Sequence, residues 1–107
     1  MKYIILTLMV FVNSAMAKAI NFEEAIQNRT YVLFALGTAV YYSEHCRGLT
    51  GRGMQYLTRA MILHDLRAPM FTGDKMYKEG YKVAAGYPSC SKLRNDITDA
   101  GLGAMVR

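Results

Sequence analysis

The stretch Tyr31-Val32-Leu33-Phe34-Ala35-Leu36-Gly37-Thr38-Ala39-Val40-Tyr41-Tyr42 is apolar almost all round any helix it could form. Its β-branched and aromatic residues would also suit a strand. The run is well beyond the usual strand of about five or six residues, so length decides for helix. Phe22, Ile26, Leu33, Leu36 and Val40 recur at intervals of three, four and seven, which is helical spacing. A helix lacking a polar face is normally enclosed by other helices. The stretch therefore predicts an all-α domain with this segment inside it.

Upstream, Asn21-Phe22-Glu23-Glu24 places a capping residue three positions before a glutamate, the spacing of a capping box. Ile20 could staple onto Ala25 or Ile26. One helix is predicted from Asn21 to about His45. Residues 1–17 read as a secretory leader: Lys2 is the positive region, Tyr3 to Val12 is apolar apart from Thr7, and Ala15-Met16-Ala17 is a small-x-small cleavage site. The rival reading is an uncleaved anchor. The apolar run is far shorter than the roughly 20 residues that span a bilayer, so no transmembrane segment is expected after cleavage. The domain would be residues 18–107, and the compartment the periplasm or the extracellular space.

Downstream, Gly48-Leu49-Thr50-Gly51-Arg52-Gly53 reads as a turn, because three glycines in six residues disfavour a helix interior. A second helix is predicted from Met54 to Arg67, stopping before Pro69. Thr72 or Asp74 caps a third through Met76, Tyr77, Tyr81 and Ala84 or Ala85. Gly80 either weakens that helix or lets a neighbour approach closely. Gly86-Tyr87-Pro88 breaks it, Ser89 caps a fourth helix, and Gly101 and Gly103 end it. The tail Ala104 to Arg107 folds back or frays. Short connections suggest antiparallel packing. The fold class is thus a small four-helix, all-α domain stapled by one disulfide, after a cleaved N-terminal leader.

That disulfide is Cys46–Cys90. These are the only two cysteines, and an exported chain meets an oxidising compartment, where two cysteines usually pair. The bridge would close a loop of about 45 residues, worth on the order of 4 kcal/mol at most. A marginal core of this size would depend on it. The bond also consumes both thiols. Zinc sites show short paired spacings such as C-x₂₋₄-C, and each cysteine here stands alone. No metal, no cofactor and no cysteine nucleophile is therefore expected.

Other chemistry is thin. His64-Asp65 could be half of a hydrolase triad with Ser43, Ser89 or Ser91. None of these serines sits in a nucleophile elbow, and neighbours on a helix point about 100° apart. Glu44 with Asp65 or Glu79 would make a glycosidase pair only at suitable separation. A small hydrolase remains an alternative, and a non-enzyme is expected.

Charge is more informative. The chain carries 13 basic and 8 acidic residues, a net of +5. From Arg47 to Arg94 there are nine basic residues against Asp65, Asp74 and Glu79. A surplus of this kind either aids solubility or attracts an acidic partner. Gly48-Leu49-Thr50-Gly51 between Arg47 and Arg52 has the G-x-x-G form of the KH-domain backbone clamp. KH folds need a sheet, none is predicted, and nucleic-acid binding is not expected. The same amides and arginines could still hold an anion. Eight tyrosines, more often rim-of-core residues, are also favoured at interfaces. The candidate anion- or partner-binding residues are Arg47, Gly51, Arg52, Tyr56, Lys78 and Lys82.

The run Gly53-Met54-Gln55-Tyr56-Leu57 with Ala60, then Tyr81 to Gly86, then Cys90 with Ile97 and Gly101, resembles small exported alphaproteobacterial proteins of unknown function. That resemblance implies no activity. A leader, four helices and one long-range disulfide are also similar in layout to periplasmic acid-stress chaperones of the HdeA type. The layout is similar as well to periplasmic immunity proteins that block type VI amidase effectors. No residue roles carry over from architecture alone. The expectation is a small exported, non-catalytic binding protein acting on a protein partner or an anionic envelope surface, with an immunity or inhibitor protein and a stress chaperone as alternatives.

Overall fold

The computed structural model describes residues 22–107. The leader, its cleavage site, the Asn21 cap and the Ile20 staple lie outside the described residues.

The described chain is all-α. The elements are α1 (Phe22–Ala25), α2 (Arg29–His45), α3 (Gly51–Leu63), a 3-10 turn (Met70–Gly73), α4 (Lys75–Ala85) and α5 (Cys90–Ile97). A π turn (Thr98–Leu102) and a 3-10 turn (Gly103–Met105) follow. No described helix is long and apolar enough to cross a membrane.

The first predicted helix is in fact two. Asn28 breaks it: its backbone is extended, and its side chain accepts from the Tyr31 amide at 3.0 Å, capping α2. Asparagine favours this local bond over a place in a helix interior. The second helix also begins earlier than its glycines suggested. Thr50 caps it by accepting from Gly53, so Gly51 and Gly53 lie inside its first turn. It ends at Leu63 rather than Arg67; His64 follows, then Asp65 with a positive φ of 54°. Asp74 caps α4 through the Met76 amide, and Ser89 caps α5 through the Lys92 amide, as expected.

α2 is the central element. Val32, Leu33, Phe34, Leu36 and Tyr42 are all buried, on several sides of the helix. Its most extensive partner is α4, not the sequential neighbour α3. The two helices meet at glycine. A Cβ on Gly80 would stand 2.9 Å from the Phe34 carbonyl carbon, and one on Gly37 would stand 2.7 Å from the Tyr81 amide nitrogen. Backbones can touch only because neither residue has a side chain. The Thr38 hydroxyl, 3.3 Å from both the Phe34 and the Gly80 carbonyl oxygens, donates across the crossing.

Two apolar clusters flank α2. One joins Phe34 and Tyr42 to Ala84, Leu93, Ile97 and Val106. The other joins Val32, Leu33 and Leu36 to Ala60, Phe71 and Tyr77. Cys46 and Cys90 form the disulfide with Cα atoms 5.7 Å apart, fastening the end of α2 to the start of α5. The tail folds back. Gly101 turns the chain with a φ of 89°, and Val106 bridges antiparallel to Leu49.

Candidate functional site

The loop Arg47–Thr50 is held on both sides. The disulfide fixes its start at Cys46. The tail fixes the rest: the Thr50 amide donates to Met105 at 3.0 Å, and the Arg107 amide donates to Gly48 at 2.9 Å. The Thr50 hydroxyl donates to Ala104 at 2.6 Å while it caps α3. The Tyr42 hydroxyl reaches out of the core to the Arg107 carbonyl at 2.6 Å. Gly53 packs on the Met105 backbone, where a Cβ would lie 3.1 Å from the carbonyl carbon. Nothing in the local spacing of Gly48–Gly53 announces this clamp, because its partners lie some fifty residues away.

Arg47, Gly51 and Arg52 stand exposed on this clamped loop and the first turn of α3, with half-buried Tyr56 one turn on. The first-turn amides of Gly51 and Arg52 point out of the positive end of the helix. The described ion pairs engage Arg59 with Glu23, Arg67 with Asp65, and His45 with Glu44, and leave Arg47 and Arg52 out. The Glu23 carboxylate raises the Arg59 pKa, first by hydrogen bonding and then by charge.

Lys78 and Lys82 are exposed on α4. They belong to a second group. The crossing with α4 uses Gly37, whereas Ala35 and Ala39, about 200° away around α2, face α3 and the tail. α3 and α4 therefore lie against different faces of α2.

Between α2, α3 and the tail lies an apolar cleft of about 90 Å³. Ala35, Ala39, Gly53, Leu57, Leu102 and Val106 are among its walls, and Tyr31, Tyr42 and Tyr56 also border it. Burial raises the Tyr31 pKa, so that phenol stays protonated. The sequence carried a signal for this space: Ala35 and Ala39, four apart on the central helix, are too small to fill it.

Compared with protein-family models, curated proteins and solved structures, the chain matches none.

The histidines occupy other surroundings. His45 stacks on Tyr41 at 4.5 Å, and its Nε2 lies 3.2 Å from the Tyr81 hydroxyl. That hydroxyl donates to Glu44 at 2.8 Å, and this bond is the main cause of the raised Tyr81 pKa, with desolvation adding to it. His45 and Glu44 are both about half exposed, at 51% and 53%. His64 sends Nε2 to the Ile26 carbonyl at 2.6 Å, tying the α1 turn to the end of α3. Asp65 turns away to Arg67 at 3.2 Å. The His64–Asp65 couple is thus not assembled, and Ser89 is engaged as a helix cap. Asp65 shares a surface depression with Arg29 at the start of α2, while Glu44 lies at its other end, roughly 20 Å along the helix. That is too far for a glycosidase pair. Among the described residues no three metal-ligating side chains cluster.

Proposed function

We propose that this chain is an exported, non-catalytic binding protein that meets an acidic partner, either a protein or an anionic envelope surface, through Arg47, Gly51, Arg52 and Tyr56. The observation carrying this reading is the clamp. Two exposed arginines outside the described ion pairs sit where a disulfide, a folded-back tail and the Thr50 cap hold the backbone. Charges fixed in place steer an oppositely charged partner and cost less to order on binding than charges on a loose loop. Lys78 and Lys82, exposed on α4, add to the general positive field. The histidines are engaged otherwise: His64 meets the Ile26 carbonyl while Asp65 turns to Arg67, and His45 sits against Tyr41, Tyr81 and Glu44.

The test uses two probes side by side: phosphatidylglycerol vesicles, and a soluble envelope extract passed over the immobilised chain. Retention on one of them should fall steeply between about 50 and 300 mM salt, where the Debye length shrinks below about 10 Å. The double variant Arg47→Glu/Arg52→Glu should bind more weakly by up to about thirtyfold, each reversed exposed charge contributing up to about 1 kcal/mol. Retention that ignores both salt and charge reversal would overturn the reading.

A further inference from the structure

The large hydrophobic side chains that stay exposed among the described residues are Met54, Ile62, Leu63 and Met70, and the first three lie on α3. Their exposures are 55%, 74% and 49%. Residues four apart share a helix face. Met54, Thr58 and Ile62 therefore form one exposed row, and Gln55, Arg59 and Leu63 form the row beside it. Arg52 stands one turn before Gln55, at the head of the second row. The opposite side of α3 is already packed, with Gly53 and Ala60 buried.

Charge on this face has one sign. α3 holds Arg52 and Arg59 and no aspartate or glutamate. Arg59 is answered by Glu23 at 2.8 Å. Arg52 and the loop residue Arg47 are exposed and outside the described ion pairs. Apolar side chains beside uncompensated cations match a surface with an anionic outer layer and hydrocarbon beneath it. A second copy of the chain matches less well, since it would set arginine-bearing faces together with no carboxylate on either α3.

The path of the chain favours the same occupant. α1 is fastened to the C-terminal half of α3 by the Glu23–Arg59 pair and by His64 at the Ile26 carbonyl. α1 begins at Phe22, ten positions after Val12, where the apolar run Tyr3–Val12 ends. Ten residues reach at most about 35 Å. A leader of the kind read from the sequence, lodged in a bilayer, therefore keeps Ile62 and Leu63 within reach of the membrane surface.

We propose that the outer face of α3 docks on an anionic phospholipid bilayer. The helix, about 20 Å long, lies along the surface. Ile62 and Leu63 enter the layer below the headgroups, and Arg47 and Arg52 pair with phosphates. This rests on the binding role proposed above and deepens it, committing the acidic partner to lipid and adding the apolar residues of α3 to the contact.

The test is flotation of the full chain with vesicles of pure phosphatidylcholine and of mixed phosphatidylcholine and phosphatidylglycerol. Only the mixed vesicles should carry the chain, and salt should weaken that binding. Ile62→Ser/Leu63→Ser should weaken it about tenfold or more, since the exposed area of the two together amounts to about one full side chain of this kind. Arg52→Gln should weaken it up to about fivefold. These side chains are exposed, so circular dichroism of the variants should be unchanged. Ile62→Trp supplies a readout that needs no loss of binding: its emission should move to shorter wavelength on mixed vesicles and be quenched by brominated acyl chains. A chain that ignores both vesicles while retention on envelope extract stays salt-sensitive would overturn this proposal and leave the binding role standing with a protein partner. Loss of extract retention as well would overturn both. Vesicle binding untouched by Ile62→Ser/Leu63→Ser, or an unshifted Ile62→Trp emission, would overturn the apolar contact. A dimer in sedimentation equilibrium that Ile62→Ser dissolves would also overturn the proposal, by assigning the face to a second copy of the chain.

Discussion

Replacing Gly80 by alanine puts two opposing effects in direct competition. In an open helix interior the change stabilises by about 1 kcal/mol, because alanine loses less backbone entropy. In α4 the new Cβ would stand 2.9 Å from the carbonyl carbon of Phe34 and 3.1 Å from its Cα. Carbon atoms rest at about 3.5–4.0 Å, so α2 and α4 must part by about 1 Å. Overpacking of this kind costs about 1–3 kcal/mol. Parting also stretches the Thr38–Gly80 hydrogen bond from 3.3 Å, at a cost of about 1 kcal/mol, and loosens the Phe34 and Ala84 contacts. The net expectation is a loss of about 1–3 kcal/mol. In urea, with a slope of about 1 kcal/mol per molar for a chain this small, the midpoint should fall by about 1–3 M with the slope unchanged. Far-UV circular dichroism measures this directly. Gly37→Ala should act alike, and the double variant should lose less than the sum, because the first separation already relieves the second clash. Gly73→Ala, with open space around its Cβ position, is the control and should shift the midpoint little. A stabilised Gly80→Ala variant would refute the close crossing.

Reduction of Cys46–Cys90, whose residues are 44 apart in sequence, should lower stability by up to about 4 kcal/mol, and thiol titration of the native chain should find no reactive group before reduction. Tyr42→Phe removes the bond to the Arg107 carbonyl and should cost about 1 kcal/mol, with faster amide exchange at Thr50 and Val106 as its signature. Burial holds the Tyr31 pKa above its usual 10.0, so the folded chain keeps a proton that the unfolded chain releases. Its contribution is complete below pH 10 and drains away as pH rises toward the folded pKa. The urea midpoint should therefore fall from pH 9 to pH 11, with Tyr77 and Tyr81 adding slopes of the same sign. Tyr31→Phe should flatten that decline, and an unchanged slope would count against the buried phenol.

Much of the fold was legible because its signals are local. A helix cap is a bond to an amide two or three residues away, so Asp74 and Ser89 could be read in place, and so could the stop at Gly86-Tyr87-Pro88. The apolar circumference of α2 marked it as interior for the same reason. The misreadings were also local competitions. Asn28 captured the Tyr31 amide and split one helix into two, and Thr50 captured the Gly53 amide and started α3 among its glycines.

The amino-acid order by itself determined helicity, the caps at Asp74 and Ser89, the single possible sulfur pairing and the sign of the surface charge. Those properties follow from bonds within a few residues, from composition, or from there being only two cysteines. Tertiary structure alone decided that Gly80 meets Phe34, that Gly53 meets Met105, and that α3 and α4 pack on different faces of α2. It alone opened the cleft beside Ala35 and Ala39. Each of these depends on backbones brought together from some forty or fifty positions apart, where helical periodicity carries no information about which surface will be opposite.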